Sequence, residues 1–160
     1  NQPLVRNFDN EIDFYVGYGI PLNDTWSVDT GATMYYYPEL NGVGVDRTTT
    51  EFYVGLNGST AGFSPSVYLY YDMDLKAWTA QGAVGYSLAM SDNASLDFSA
   101  TLGHVDPDGA DSYAYYGVGV VMPYSLSDKA TVSAGLQYAS TDKTGAKDHV
   151  YFSLGITIGL

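Results

Sequence analysis

The C-terminal residues, from His149 to Leu160, alternate between apolar and polar side chains almost without a break. A period of two residues is typical of an extended strand, because successive side chains point to opposite faces of a sheet. The ending of this chain therefore predicts a β-strand with one apolar and one polar face. The apolar positions are Val150, Phe152, Leu154, Ile156, Ile158 and Leu160.

The same alternation recurs along most of the chain, and no segment has a helical period long enough to predict a helix. We predict an all-β protein with about nine strands. Residues 1–10 are expected to be an N-terminal loop or extension, and residues 11–160 a single domain. The expected strands are 11–21, 26–37, 49–57, 64–75, 77–90, 94–104, 112–125, 129–140 and 148–160.

The connections between these strands are of two kinds. Tight turns use Asn, Asp and Ser, whose side chains bond to nearby backbone; they lie at 23–24, 91–93 and 127–129. Longer polar segments rich in Gly and Asp lie at 38–48, 105–111 and 141–147. The two kinds alternate, apart from a longish turn at 57–63 and a short one at 72–76. Short turns on one rim and long loops on the other are typical of outer-membrane barrels.

An internal repeat supports a chain of hairpins. The segment Val16–Val28 aligns with Val84–Leu96 and, more weakly, with Val120–Val132. Each copy is a hairpin around a tight turn, which fits a meander in which every strand pairs with its sequence neighbour. Unrelated hairpins with the same turn chemistry would give a similar likeness. The aspartates at the matching turn position are Asp24, Asp92 and Asp128.

Composition excludes several classes of function. The 160 residues include 18 Gly and 16 Tyr but no Cys, so a disulfide framework and a thiolate metal site are impossible. The formal net charge of −12 argues against binding nucleic acid, whose backbone selects Lys and Arg. No apolar run approaches the roughly 20 residues of a membrane-spanning helix. Phosphate-binding and dinucleotide-binding fingerprints are absent from the sequence, so no cofactor is expected.

Three observations indicate that the apolar faces point toward lipid. The polar faces carry mostly Ser, Thr, Gly, Tyr and Gln with a few carboxylates, whereas a sheet facing water normally carries Lys, Glu and Arg. All basic residues fall in the N-terminal segment, loops or turns: Arg6, Arg47, Lys76, Lys129, Lys143 and Lys147. Aromatic residues also cluster near both ends of the apolar faces. These observations favour a transmembrane antiparallel up-and-down β-barrel over a soluble ligand-binding barrel.

This arrangement assigns a role to each face. The polar face is expected to line a pore through Glu11, Asp13, Asp29, Glu51, Asp72 and Asp97. Tyrosines share that face: Tyr15, Tyr35, Tyr37, Tyr53, Tyr68, Tyr70, Tyr113, Tyr115 and Tyr151. The apolar face is expected to contact outer-membrane lipid through an aromatic girdle at each interface. The girdle residues are Tyr18, Trp26, Tyr36, Trp78, Tyr86, Tyr116, Tyr124 and Tyr138.

The number of strands raises a question about how the barrel closes. Bacterial barrels usually have an even number of strands, whereas this chain predicts about nine. The first and last strands would also run in the same direction. We therefore expect these strands to belong to a barrel of about 10–12 strands, completed by missing N-terminal strands or by another chain. Homo-oligomerisation is a further possibility.

Three sequences resemble the TorF-type porin family of Gram-negative outer-membrane β-barrels: Glu11–Tyr18, Tyr35–Pro38 and Thr50–Leu56. The resemblance covers roughly Glu11 to Leu160. It implies an outer-membrane barrel that acts as a porin, with no catalytic residues to carry over. Members of the family have upstream strands that do not occur here. The chain also ends in Leu160, where outer-membrane proteins most often have Phe.

Other kinds of chemistry have weaker support in the sequence. Asp106, Asp108 and Asp111 form an acidic loop that is a weak candidate for a metal site, because its spacing does not match a calcium-binding loop. No nucleophile motif surrounds any serine, so an enzyme is not expected. The leading hypothesis is a passive channel in the bacterial outer membrane for small polar or cationic solutes. The alternative is a non-conducting structural or interaction barrel of the cell envelope.

Overall fold

The computed structural model describes residues 10–39 and 47–159. Arg6, most of the predicted N-terminal segment, the middle of the 38–48 loop and Leu160 lie outside the described residues. Within those ranges the chain forms nine β-strands and no helix. The strands are β1 (Ile12–Pro21), β2 (Trp26–Tyr36), β3 (Thr48–Gly58), β4 (Phe63–Asp72), β5 (Ala77–Ser91), β6 (Ala94–Pro107), β7 (Tyr113–Ser127), β8 (Ala130–Thr141) and β9 (His149–Ile158).

The strands form one antiparallel sheet in sequence order, so each strand pairs with its neighbours in the chain. This confirms the predicted all-β up-and-down meander. In the described part of the chain, no helix is long and apolar enough to span a membrane. The sheet is not closed among the described residues, since β1 pairs with β2 and β9 pairs with β8.

The nine strands correspond one to one with the predicted segments, and the largest differences lie at the ends of β4 and β6. β4 ends at Asp72, where the alternation predicted a strand as far as 75. The Asp72 Oδ1 atom accepts hydrogen bonds from the backbone N–H groups of Asp74 (2.9 Å) and Leu75 (2.8 Å), which turns the chain. β6 continues past the predicted end at 104 because it stays paired with β5 as far as Pro107.

The three repeated hairpins share a detail of their turns. The Ser91 Oγ atom accepts from the Asn93 N–H, and the Ser127 Oγ atom accepts from the Lys129 N–H, both at 3.3 Å. In the first copy, Asn23 Oδ1 takes this place and accepts from the Thr25 N–H at 2.9 Å. The second and third copies also have a register shift at equivalent positions, 89/91 and 125/127. The repeat therefore extends to hydrogen bonding and register.

The sheet curves toward its polar face. In β3, the apolar side chains of Phe52, Val54 and Leu56 are exposed, whereas the intervening Tyr53 and Asn57 are half-buried. A curved sheet shields its concave side, so this alternation places the polar residues inside the curve. The apolar face is convex and open, and on β9 the exposed fractions reach 83% for Phe152 and 88% for Leu154.

Candidate functional site: the polar concave face

The concave face carries carboxylates that are held by hydroxyl and amide groups. Asp29 on β2 accepts a hydrogen bond from the Tyr68 hydroxyl on β4 at 3.1 Å. The Asn57 amide on β3 donates to the same tyrosine oxygen at 2.7 Å. Glu51 accepts from the Tyr35 hydroxyl at 3.2 Å. Two of the predicted pore-lining carboxylates are therefore fixed by tyrosines of the same face.

Asp97 lies on β6 near the rim of short turns, and serines hold it. Its Oδ1 atom accepts from the Ser87 hydroxyl at 2.6 Å and from the Ser95 hydroxyl at 2.8 Å. Neither serine was singled out in the sequence, because Ser is common on every polar face here. Asp29 and Asp97 thus lie on the same face of the sheet but in different hydrogen-bond clusters.

The remaining predicted pore residues lie toward the rim of long loops. Asp13 lies on β1 opposite Tyr35, and Glu11 precedes β1. A hydrogen bond to Glu11, together with burial, raises the pKa of Tyr37 to about 12. Asp72 is only 6% exposed, and the two hydrogen bonds that its Oδ1 atom accepts stabilise the turn after β4. Asp72 therefore has a structural role, which is to stabilise the turn at the end of its strand.

Tyrosine rings form a cluster between these carboxylates. The ring centroids of Tyr68 and Tyr70 lie 5.6 Å apart with an interplanar angle of 19°. Tyr53 lies 6.1 Å from each of them. In later strands of the same face, the Tyr115 hydroxyl on β7 donates to Gln81 Oε1 on β5 at 2.7 Å. Gln81 and Asn57 are partners that alternation alone could not reveal, since register decides which side chains meet.

Basic side chains stay away from the strands throughout the described residues. Arg47, Lys76, Lys129, Lys143 and Lys147 all lie in turns or loops. The Lys143 Nζ atom lies 4.5 Å from the centre of the Tyr113 ring, at the rim of long loops. The described strands of the concave face thus carry negative charge without a fixed positive charge among them.

The predicted girdle residues lie on the convex face, near the ends of the strands. Trp78 packs against Tyr71 with centroids 4.6 Å apart, and Tyr116 lies 6.1 Å from Tyr138. At the opposite rim, Tyr86 packs 4.7 Å from Phe63. Exposed aromatic side chains therefore occur near both rims of the convex face. The others of the set lie on the same face: Tyr18, Trp26, Tyr36 and Tyr124.

The acidic loop gives the metal hypothesis no geometric support. Asp106 lies within β6 opposite Trp78, whereas Asp108 and Asp111 follow the strand. Over the described ranges, no three His, Asp or Glu side chains gather closely enough to hold a metal ion.

An antiparallel meander with an apolar outer face and a polar inner face defines the fold of outer-membrane β-barrels, and solved structures share it. The NanC porin matches with a TM-score of 0.68 and 17% identity, over 94% of this chain and 80% of that one. OmpT folded in vitro, an outer membrane protein of Vibrio cholerae, gives a TM-score of 0.54 and 13% identity, over 92% of this chain and 55% of that one. The OmpT variant that lacks loop L8 gives a TM-score of 0.57 and 14% identity, over 92% of this chain and 53% of that one.

These likenesses establish the fold. No protein-family model matches the chain, and no curated protein matches it significantly. The resemblance to the TorF-type family therefore stays a prediction. The chain spans about half the length of the OmpT structures and four fifths of NanC.

Proposed function

We propose that this chain forms the wall of a porin-like barrel in the bacterial outer membrane, a passive and non-enzymatic channel for small polar or cationic solutes. The observation that carries the proposal is the contrast between the two faces. Large apolar side chains cover the convex face, while the concave face carries carboxylates and tyrosines with no Lys or Arg in any described strand. The likeness to the NanC porin supports the same reading.

The electrostatics of the concave face give the proposed channel its preference. Carboxylates lining a narrow aqueous space create a negative potential that concentrates cations and repels anions. Hydrogen bonds from tyrosine and serine hydroxyls hold these carboxylates in place on the concave face. The convex face would contact outer-membrane lipid, with its aromatic side chains at the two interfaces.

The direct test is ion conduction by the folded protein in a planar lipid bilayer with a KCl gradient. We expect discrete conductance steps and a reversal potential that shows preference for K⁺ over Cl⁻. A folded barrel that inserts but does not conduct would favour the second candidate, a structural or interaction barrel of the cell envelope. The observation behind that candidate is the cluster of tyrosine rings on the concave face, which would obstruct a narrow lumen wherever a ring stands away from the wall.

A soluble ligand-binding barrel requires an apolar interior, and here the apolar side chains are on the outside of the curve. Phe152 and Leu154 would be left in water by such a barrel. We therefore expect folding to require detergent or lipid. Recovery of a folded monomer in plain buffer would contradict the membrane proposal.

The open edges of the sheet bear on how the proposed barrel closes. β1 and β9 both start at the rim of long loops, so a direct seam between them would be parallel, unlike the other pairings. Unpaired edges in lipid cost several kcal/mol for each unsatisfied backbone group. We infer that an odd number of further strands lies between β9 and β1 in the closed barrel, supplied by the same polypeptide or by another chain.

A second copy of this chain is not expected to supply those strands. Two copies with the same orientation in the membrane would place β9 of one protomer beside β1 of its partner. Those two strands would again be parallel, because both run from the rim of long loops to the rim of short turns. A homo-oligomer would therefore associate through its outer surface.

A further inference from the structure

Three glycines of the concave face each lie directly opposite a tyrosine of the next strand. Gly31 on β2 is paired with Tyr53 on β3, and Gly55 on β3 with Tyr68 on β4. The third pair is Gly103 on β6 with Tyr115 on β7. In every pair the tyrosine belongs to the later strand, so all three lean in the same direction around the sheet.

The tyrosine rings occupy the space that a side chain at the glycine would need. A Cβ atom placed on Gly55 would overlap the Tyr68 ring, and one on Gly103 would overlap the Tyr115 ring. At Gly31 the Tyr53 hydroxyl oxygen would lie only 2.7 Å from such an atom. Each tyrosine thus rests on the bare backbone of its glycine.

The hydroxyl groups reach one strand further still. Tyr68 crosses β3 to bond Asp29 on β2, and Tyr115 crosses β6 to bond Gln81 on β5. The Tyr53 hydroxyl crosses β2 and lies against Gly17 on β1. Two strand spacings amount to about 10 Å. A tyrosine can approach a target at that distance only if its ring lies along the sheet instead of standing upright from it.

We propose that Gly31, Gly55 and Gly103 are the residues that shape the lumen, because each lets a tyrosine lie flat against the wall and leaves the space in front of it open. We call these units tyrosine braces: Tyr53 on Gly31, Tyr68 on Gly55 and Tyr115 on Gly103. A methyl group at the glycine lifts the ring off the wall and turns it into the lumen. This inference deepens the proposed channel function and rests on it for its effect on conduction.

Gly55 and Gly103 provide the cleaner substitutions. The nearest atoms to an added Cβ at both sites belong to the tyrosine side chain, whereas at Gly31 the Val16 carbonyl oxygen also intrudes. Gly19 on β1 is a matched control, because it faces the same side of the sheet and an added Cβ would meet nothing within 4 Å. Gly82 is a second control with open space around it.

The first experiment compares single-channel conductance among these variants. We expect Gly55→Ala and Gly103→Ala each to lower conductance. The variant with both substitutions should conduct on the order of twofold less than the unsubstituted protein. The control Gly19→Ala should leave conductance unchanged. Adding Tyr68→Ala to Gly55→Ala should restore conductance, since no ring remains to block the lumen. Equal conductance of Gly55→Ala, Gly103→Ala and the unsubstituted protein would overturn the proposal.

The second experiment needs neither conduction nor a glycine substitution. In detergent-folded protein labelled with ¹³C-glycine, the α protons of Gly55 and Gly103 should be shifted upfield by the rings above them, relative to Gly19 and Gly82. Tyr68→Leu should remove the shift at Gly55 alone, and Tyr115→Leu that at Gly103 alone. Ordinary shifts at both glycines would overturn the braces. If the two glycines are ring-shifted but the barrel does not conduct, the channel function is refuted while the tyrosine braces are supported.

Discussion

At the scale of single residues, the concave face shows how a protein keeps carboxylates within a barrel wall. Asp29, Glu51 and Asp97 each accept a hydrogen bond from a hydroxyl group of another strand. The tyrosines that supply two of these bonds lie between the charged groups. The result is a negative surface in which charge and aromatic area are arranged together.

Neutralising Asp29 and Asp97 should weaken the cation preference of the proposed channel. Asparagine keeps the size of the side chain and an acceptor oxygen but removes the charge. Unit charges a few ångströms from a passing ion in water act with about 1 kcal/mol, so we expect the K⁺/Cl⁻ permeability ratio to fall about two- to fourfold in the double variant. Reversal potentials in a salt gradient measure this ratio.

Asp106→Asn is the matched control for that experiment. Asp106 lies opposite Trp78 on the convex side, so removing its charge should leave the permeability ratio unchanged. An unchanged ratio in the Asp29→Asn/Asp97→Asn variant would contradict the assignment of these carboxylates to the lumen.

At the scale of elements, the hairpins are defined as much by their turns as by their strands. The three repeat copies close with the same bond, from a backbone N–H to an Asn or Ser side chain two residues earlier. The turn after β4 uses a different device, a buried aspartate that receives two backbone N–H groups, followed by Lys76 with a φ of 50°. That positive φ is unusual for a residue other than glycine and marks a tight reversal.

Replacing Asp72 with alanine should destabilise the hairpin of β4 and β5. The substitution leaves two backbone N–H groups without their acceptor, and we expect a loss of about 2 kcal/mol in the free energy of unfolding. Urea unfolding from detergent micelles, followed by tyrosine and tryptophan fluorescence, measures the change. Asp72→Asn keeps an acceptor oxygen and should lose less. Asp92→Ala, in an exposed turn, should change stability by less than about 0.5 kcal/mol.

The loop between β8 and β9 is anchored through Asp148. The Ser140 hydroxyl donates to this carboxylate at 2.6 Å and the Tyr138 hydroxyl at 3.0 Å. These bonds, with a smaller contribution from the charge of His149, lower the pKa of Asp148. Because the pKa of Asp148 is lower in the folded protein than in the unfolded chain, these bonds contribute fully to stability above the ordinary pKa of an aspartate. That contribution is lost as pH falls through the lowered pKa.

An NMR titration of the Asp148 carboxyl carbon tests this anchor. We expect a pKa below the ordinary range, and Ser140→Ala should move it back upward because the 2.6 Å hydrogen bond from the Ser140 hydroxyl is gone. Ser133→Ala on the same strand lies far from the loop and should leave the Asp148 pKa unchanged. If the pKa is the same with and without Ser140, hydrogen bonding is not the cause of the shift.

At the scale of the whole molecule, the direction of the strands limits how a barrel can close. Nine antiparallel strands leave β1 and β9 running the same way. Both have the two-faced pattern of the inner strands, with Phe14 and Val16 outward on one and Phe152 and Leu154 outward on the other. Each edge therefore suits a neighbour with the same alternation.

Cysteine crosslinking can determine whether β1 and β9 are neighbours. The chain has no cysteine, so introduced thiols are the only ones present. We expect no crosslink by a short bifunctional reagent between Leu154→Cys and a cysteine at Phe14, Val16 or Tyr18. One intervening strand would separate β1 and β9 by about 10 Å, and three would separate them by about 19 Å. Ala134→Cys with Leu154→Cys, a registered pair of β8 and β9, is the positive control. An efficient crosslink from any test pair within one chain would contradict the inferred seam.

The sequence alone determined the number and approximate position of the strands, because period-two alternation is a local property of each segment. It also placed the carboxylates and most of the tyrosines on one face, since parity along a strand fixes the side. The end of β4 at Asp72 was missed because a side chain bond overrides the pattern there. Partners such as Asn57 and Gln81 were missed because cross-strand neighbours depend on register.

The sequence predicted a polar face on the inside of a barrel, and the sheet curves in that direction, but only the tertiary structure decided that tyrosines of this face lie on glycines. Each brace joins residues from three strands, as Tyr68, Gly55 and Asp29 do across β4, β3 and β2. Which residues come together depends on the register of two pairings and on the curvature of the whole sheet. Those are collective properties that no single strand carries in its own sequence. Alternation therefore predicted a polar face, whereas the packed sheet determined the form of that face.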